Sequence, residues 1–385
     1  MSATLITGID VLLSTKRFSH QRIALVTNNA ALTATGEQSR MSLLKNKFHL
    51  TTLFSPEHGI SVQGADGAAQ QNSIDAATGL PIISLYGHKL SPSEEDLKDA
   101  DLVLFDIPDV GCRFYTYLWT MTYVMEACAQ YNKPFIVLDR PNPMGALIEQ
   151  AEGPFLEEQN CSSFTGRWNI PLKHSCTLGE LALYFAATRL PQLTIEVIPV
   201  QNYQRHYTAL KEFSFVPTSP ALQTIRAAMF YPGTGLLEGV NLNEGRGTGY
   251  SFTVLSAPWI HATQLCDALN ALQLTGVAFK PVHYRAVTPP YINENCNGVQ
   301  LHITDHSKLQ AVHTGVTVLQ TIAALYPQQL EQRLYPTHAN PSGSQHLDKL
   351  LGFPNAFEAI VTGQKINLQV AEEWYRQIQA YLLYY

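Results

Sequence analysis

Leu102-Val-Leu-Phe-Asp-Ile-Pro-Asp109, the segment Phe114 to Tyr131, and Phe135-Ile-Val-Leu-Asp-Arg-Pro-Asn142 form the stretch whose reading decides the fold. Leu102–Ile107 and Phe135–Leu138 are continuous apolar runs, as strands covered on both faces require. The segment between them has helical length and helical apolar spacing. Strand, helix and strand in that order mean parallel neighbours in one sheet. The alternation extends outward to strands at Arg22–Thr27, Leu50–Phe54, Pro81–Leu85 and Leu193–Val200. Helices are expected around Gly36–Phe48, from Ser91-Pro-Ser-Glu94 through Leu97, and from Thr177-Leu-Gly-Glu180 through Ala187. The first 215 residues therefore read as an α/β, doubly wound parallel sheet. After Tyr203 the rhythm changes, and Val216–Pro220 reads as a crossing into a smaller α+β domain over 216–385. There, helices are expected near Ala262–Leu272 and Thr314–Tyr326, with a strand near Gly298–Thr304. Val370, Trp374, Ile378, Tyr381 and Leu382 share one helical face, so the tail should dock on the body.

The length of 385 residues suits two domains. A hydrophobic fraction of 45% against 15% charged residues supports a sizeable core and excludes disorder. The net charge of −6, without a Lys or Arg run, argues against nucleic acid and against stable membrane association. No apolar stretch reaches the roughly 18 residues a bilayer span needs. Met1–Leu13 lacks a basic region followed by an apolar one, so the expectation is a cytoplasmic protein without an export signal. Cys112, Cys128, Cys161, Cys176, Cys266 and Cys296 lie far apart and read as reduced thiols.

In an open parallel sheet, ligands bind beyond the carboxyl ends of the strands. Those ends are Asn28, Ser55-Pro-Glu57-His58-Gly59, Tyr86-Gly87, Asp106-Ile-Pro-Asp109 with Arg113, and Asp139-Arg140-Pro-Asn142. Glu57, between Pro56 and Gly59, would be presented by a tight turn, where partial burial raises a carboxyl pKa and suits a general acid. The competing reading is a Glu that caps the turn or pairs with an Arg. His58 suits hydrogen bonding or positioning more than metal ligation, because no second His sits at ligand spacing. Asp106 and Asp109 suit a catalytic carboxylate and its support, or helix capping and a turn. Arg113, Arg140, Arg167 and Arg246 suit an anionic substrate, although each alone also reads as a structural ion-pair partner. Tyr115 and Tyr117 offer hydroxyls or a stacking face to a sugar, with at least one in the core. Asn241-Leu-Asn-Glu-Gly-Arg-Gly-Thr-Gly249 matches no nucleotide fingerprint, which leaves Glu238 and Glu244 as further carboxylate candidates.

These residues carry a family likeness. Ser55-Pro-Glu-His-Gly59, Ser84-Leu-Tyr-Gly87, Phe105-Asp-Ile-Pro-Asp-Val-Gly111 with Arg113-Phe-Tyr-Thr-Tyr117, and Leu138-Asp-Arg-Pro-Asn-Pro143 occur in this order. Glu152-Gly-Pro154, Tyr231-Pro-Gly-Thr234 with Leu237-Glu-Gly239, Asn243-Glu-Gly-Arg-Gly-Thr248 and Ala257-Pro-Trp259 follow. From about Gly8 onward, the chain resembles the NamZ-type exo-β-N-acetylmuramidases. The resemblance implies a glycosidase that removes terminal N-acetylmuramic acid from the non-reducing end of peptidoglycan fragments. It also implies a Rossmann-like N-terminal domain, a smaller C-terminal one, a site in the cleft between them, and no metal or organic cofactor. Glu57 falls on the family's favoured catalytic residue. Two features depart from many relatives: no secretion or lipoprotein signal is read, and a segment that often runs Pro-Ser-Pro-Asn is here Thr218-Ser-Pro-Ala221.

Glycoside hydrolysis needs a proton donor at the leaving oxygen and commonly a second carboxylate, unless the 2-acetamido group of the sugar assists. Glu57 would be the donor, with Asp106, Glu238 and Glu244 open as the second group. The lactyl carboxylate of muramic acid would explain arginines at the site, with Arg140 the first candidate. Two rivals stand beside this reading. One is an amidase or deacylase with a metal held by His58, Asp106 and His174, and the other is a two-domain sugar-binding protein.

Overall fold

The computed structural model describes residues 4–385; Met1–Ala3, the start of the segment read for an export signal, lie outside the described residues. Strands β1 (Arg22–Thr27), β2 (His49–Ser55), β3 (Ser73–Ile74), β4 (Pro81–Ser84), β5 (Leu102–Asp106) and β6 (Phe135–Leu138) come first. A two-stranded excursion, β7 (Glu152–Phe155) and β8 (Pro171–Lys173), precedes β9 (Ile195–Ile198). Seven of these form one sheet in the order β3-β4-β2-β1-β5-β6-β9, parallel throughout except where the short β3 runs against β4. The chain starts in the middle, moves to one side, then returns past β1 to the other, so strand order reverses between β1 and β5.

Alternation along the strands explains the uninterrupted apolar runs. Ile23, Leu25, Leu53, Leu102, Leu104, Ile136 and Leu138 face Ile9, Leu12 and Leu43 on one side. Ala24, Val26, Phe54, Val103, Phe105, Phe135 and Val137 face the other, under helices Tyr117–Gln130 and Leu178–Arg189. The Leu178–Arg189 helix starts with the expected capping box between Thr177 and Glu180. The cap before Leu97 is shifted: Ser93 pairs with Asp96, while Ser91 donates to the carbonyl of Tyr123 instead. Helix Ser39–Lys45 is shorter than its apolar pattern because Leu32 and Gln38 bridge across the preceding turn.

The second domain holds an antiparallel sheet of β10 (Val254–Ala257), β11 (Val277–Arg285) and β12 (Asn295–Ile303) in the order β10-β12-β11. The sequence reading found only β12. Pro281 interrupts β11, which the sheet tolerates because β11 lies at its edge. Helices Ala262–Ala271 and Ala311–Leu325 cover the sheet, and their apolar core is continuous with that under helix Tyr117–Gln130. Helix Ile225–Thr234 crosses Ala311–Leu325 at Gly233, where a Cβ would stand 2.0 Å from the carbonyl oxygen of Ala311. The glycine of Tyr231-Pro-Gly-Thr234 is therefore a packing requirement.

The tail docks as its pattern predicts, on the first domain. Trp374 and Ile378 of helix Ala371–Ile378 are buried, and the Trp374 indole donates to the carbonyl of His174 at 2.8 Å. Tyr381 and Leu382 lie beyond that helix. The Tyr384 hydroxyl donates to Asp139 at 2.5 Å and accepts from the Val200 N–H at 2.9 Å.

Candidate active site

Strand β2 runs out into Ser55-Pro-Glu-His-Gly59, whose turn is closed by the Gly59 N–H donating to the Pro56 carbonyl at 3.0 Å. His58 sits in the left-handed region at φ 64°, a conformation a non-glycine residue adopts only when its surroundings hold it there. That turn drives Glu57 inward, to 6% exposure. The loop then folds back, and the Gly67 N–H donates to Glu57 Oε1 at 2.7 Å. Gly67 itself is left-handed, and a Cβ there would stand 2.8 Å from Thr337. Burial raises the Glu57 carboxyl above its ordinary range, and the pull of His58, Thr116 and the Gly67 N–H does not cancel it.

His58 is oriented by the same loop. Its Nδ1 lies 2.8 Å from the Gly64 carbonyl, which can only accept, so Nδ1 carries the proton. Nε2 then faces Asp66 Oδ1 at 3.7 Å. Asp66 leads to Arg246, the hub of the opposite wall. Arg246 ion-pairs with Asp66 at 2.8 Å, Glu238 at 2.6 Å and Glu244 at 3.1 Å, and also donates to the Tyr335 hydroxyl at 2.9 Å. The other Glu238 oxygen meets His346 Nε2 at 3.2 Å, and the His346 ring stacks on Tyr335 at 4.6 Å. Burial works to raise the Glu238 carboxyl, but Arg246 and His346 overcome it and bring it down to about 2. Glu244, equally buried, stays above its ordinary range because burial outweighs the help of Arg246.

Glu57, His58, Asp66, Glu238 and Arg246 line one pocket, with Tyr86, Tyr115 and Tyr231 among its aromatic walls. The pocket brings together a carboxyl with a raised pKa, an ionised one and apolar faces, a combination suited to acid catalysis on a sugar. Tyr115 and Tyr117 are both buried. Their hydroxyls donate to the Oγ1 and the carbonyl of Thr218 at 2.7 and 2.6 Å, so the Thr218-Ser-Pro-Ala221 segment braces this wall.

The remaining strand-end residues are not brought to this pocket. Asp106 is fully buried under Arg140, with contacts of 2.6 and 3.0 Å, and Arg140 also donates to the Leu32 carbonyl. Arg140 and Asp109 border a separate crevice at the reversal point of the sheet. Asp109 accepts from the Gly111 N–H at 2.8 Å and meets His174 at 3.2 Å. Asn28 accepts from the Ala30 N–H, and Asn142 bonds the Cys176 carbonyl and the Met144 N–H. Asp139 is buried beneath Tyr384, and Arg167 is held by Thr122 and Glu126 on helix Tyr117–Gln130. Arg113 is sealed inside the protein. His58, Asp106 and His174 do not converge, and among the described residues no three His, Cys, Asp or Glu side chains group to hold a metal.

Asp66, Tyr335, His346 and Lys349 are among the pocket residues that escaped the sequence reading. They stand in irregular chain or on a six-residue helix, His346–Leu351, where no strand end or motif marks them.

The family model described as exo-beta-N-acetylmuramidase NamZ, N-terminal, matches residues 23–226, and its C-terminal counterpart matches 229–384. The peptidoglycan beta-N-acetylmuramidase NamZ of Bacillus subtilis (strain 168) is 42% identical over 329 residues, 84% of this chain and 79% of that protein. Two crystal structures of DUF1343 family proteins from Bacteroides fragilis NCTC 9343 each align over 99% of both chains. Their TM-scores are 0.88 and 0.72, at 31% and 28% identity.

Proposed function

The chain belongs to the NamZ exo-β-N-acetylmuramidase family, and from that premise we propose that Glu57 is the general acid of its reaction. The protein is a glycosidase that removes terminal non-reducing N-acetylmuramic acid from peptidoglycan fragments. The observation that carries the assignment of Glu57 is its buried carboxyl, whose pKa desolvation raises and which the Gly67 N–H orients. Its proton goes to the glycosidic oxygen as the bond to the anomeric carbon breaks, and the sugar develops positive charge. Glu238, kept ionised by Arg246 and His346, supplies negative charge to the same pocket as that positive charge develops. His58 positions the loop that carries the acid, and Tyr86 and Tyr115 offer faces to the sugar.

Glu57→Gln keeps volume and hydrogen bonding but cannot give up a proton usefully. It should fold normally and lose roughly 10²–10⁴ of its turnover on the natural disaccharide. A nitrophenyl glycoside, whose leaving group needs little protonation, should lose much less. Near wild-type hydrolysis of the disaccharide would reject Glu57 as the acid.

No helix among the described residues is long and apolar enough to cross a membrane. We further propose a cytoplasmic location, supported by six cysteines that are all free thiols, as a reducing compartment keeps them. Recovery of the native protein outside the cytoplasm on fractionation would reject that location.

A further inference from the structure

The reading above leaves open what tells muramic acid from N-acetylglucosamine, which lacks the lactyl ether on C3. We propose that Lys349 makes this distinction by ion-pairing the lactyl carboxylate of the bound sugar. The inference rests on the muramidase reading and adds the residue that selects its substrate.

The argument begins with elimination among the cations. Arg140 is ion-paired with Asp106, also donates to the Leu32 carbonyl, and borders the other crevice. Arg113 is buried against four backbone carbonyls. Arg246 reaches the pocket, yet Asp66, Glu238 and Glu244 surround it, and a further anion would meet three carboxylates there. His346 is held by Glu238. Lys349 differs from all of these. It lines the pocket, and among the described residues no carboxylate lies within 4.0 Å of its ammonium. Its one bond is to the Ser344 carbonyl at 3.2 Å, which leaves two of an ammonium's three donors free. Neighbouring Asp348 does not serve as its partner, because both Asp348 oxygens accept N–H groups, from Asn355 and Ala356.

A partly desolvated cation without a counter-ion is costly unless a ligand brings one. Burial lowers the Lys349 pKa by more than the nearby Cys161 and Asp348 raise it, as fits a cation with no close ion-pair partner. Its placement also suits the sugar. Lys349 lies one turn along helix His346–Leu351 from His346, on the same side, and His346 touches Glu238. Lys349 thus enters the same pocket as Glu57 and Glu238 without belonging to the carboxylate cluster around Arg246.

The test uses nitrophenyl N-acetylmuramide and its lactamide, which has nearly the same shape but no charge. Wild-type enzyme should favour the acid by on the order of 30-fold in kcat/KM, carried mainly by KM. Lys349→Met should lose that preference by falling on the acid alone, and Lys349→Arg should restore a large part of it. Should Lys349→Met fail to fold, Lys349→Gln gives the same ratio. Equal losses on acid and lactamide, or an unchanged preference in the variant, would overturn the assignment while leaving the muramidase reading intact. If the wild type hydrolyses neither muramide, that reading fails and Lys349 falls with it.

Discussion

Replacing Arg113 with Met should destabilise the protein more than any other single change at a strand end. The guanidinium is fully buried and, among the described residues, has no carboxylate partner. It donates to the carbonyls of Pro154 at 2.7 Å, Ile170 at 3.0 Å, Leu350 at 2.9 Å and Leu351 at 2.8 Å. The last two are the terminal carbonyls of helix His346–Leu351, so Arg113 caps that helix from the other domain. Burial lowers its pKa to about 10, which still leaves it charged at neutral pH. Met fills much of the space but leaves four carbonyls without a donor. At the low end, about 1 kcal/mol for each stranded buried acceptor, the loss is about 4 kcal/mol. Relief of the guanidinium's own desolvation does not cancel this, because only one side of the contact is made apolar. A loss of that size is a large part of a typical 5–15 kcal/mol stability. Urea unfolding should show a lower midpoint at unchanged slope. Arg113→Lys should recover only part, because a point ammonium cannot fork to four acceptors. A loss below about 1 kcal/mol would mean that water or chain rearrangement satisfies the carbonyls, and the capping argument would fail.

Asp139 sets a pH dependence of stability. Burial pushes its carboxyl up to about 6, against the pull of Tyr384, Thr177 and the Gly179 N–H. A folded pKa above the unfolded value of about 3.9 means that its stabilising contribution is complete below about pH 4 and is lost as pH rises through 6. Wild type should therefore lose about 2 kcal/mol between about pH 4 and pH 7 that Asp139→Asn does not; parallel urea titrations of the two proteins would contradict this. Exhaustive dialysis against EDTA should leave turnover unchanged, because the pocket's His and carboxylate groups are engaged with one another and with Arg246. A loss restored by zinc or manganese would count against that expectation.

The sheet was legible because its signals are local. Period-two burial on both faces makes Leu102–Ile107 and Phe135–Leu138 continuous apolar runs, and Thr177 with Glu180 marks a helix start within four residues. Glu57 was legible for the same reason: Pro56 and Gly59 announce a turn at a strand end. The pairing of charges was not legible. Asp106 and Arg140 are separated by a whole helix in sequence, yet β5 and β6 lie side by side and bring their ends together, so an apparent anion clamp is a buried ion pair. Arg246 collects carboxylates from positions 66, 238 and 244, and only docking of the second domain onto the first brings Asp66 to it. His346 and Lys349 enter the pocket on a helix that Arg113 holds from the first domain. The sequence by itself determined the class of fold, the family and the strand-end turn that presents Glu57, because periodicity, turn chemistry and motif order are written along the chain. Tertiary structure decided which charges are spent and which remain free, because an ion pair depends on distance in space and no spacing along the chain encodes it.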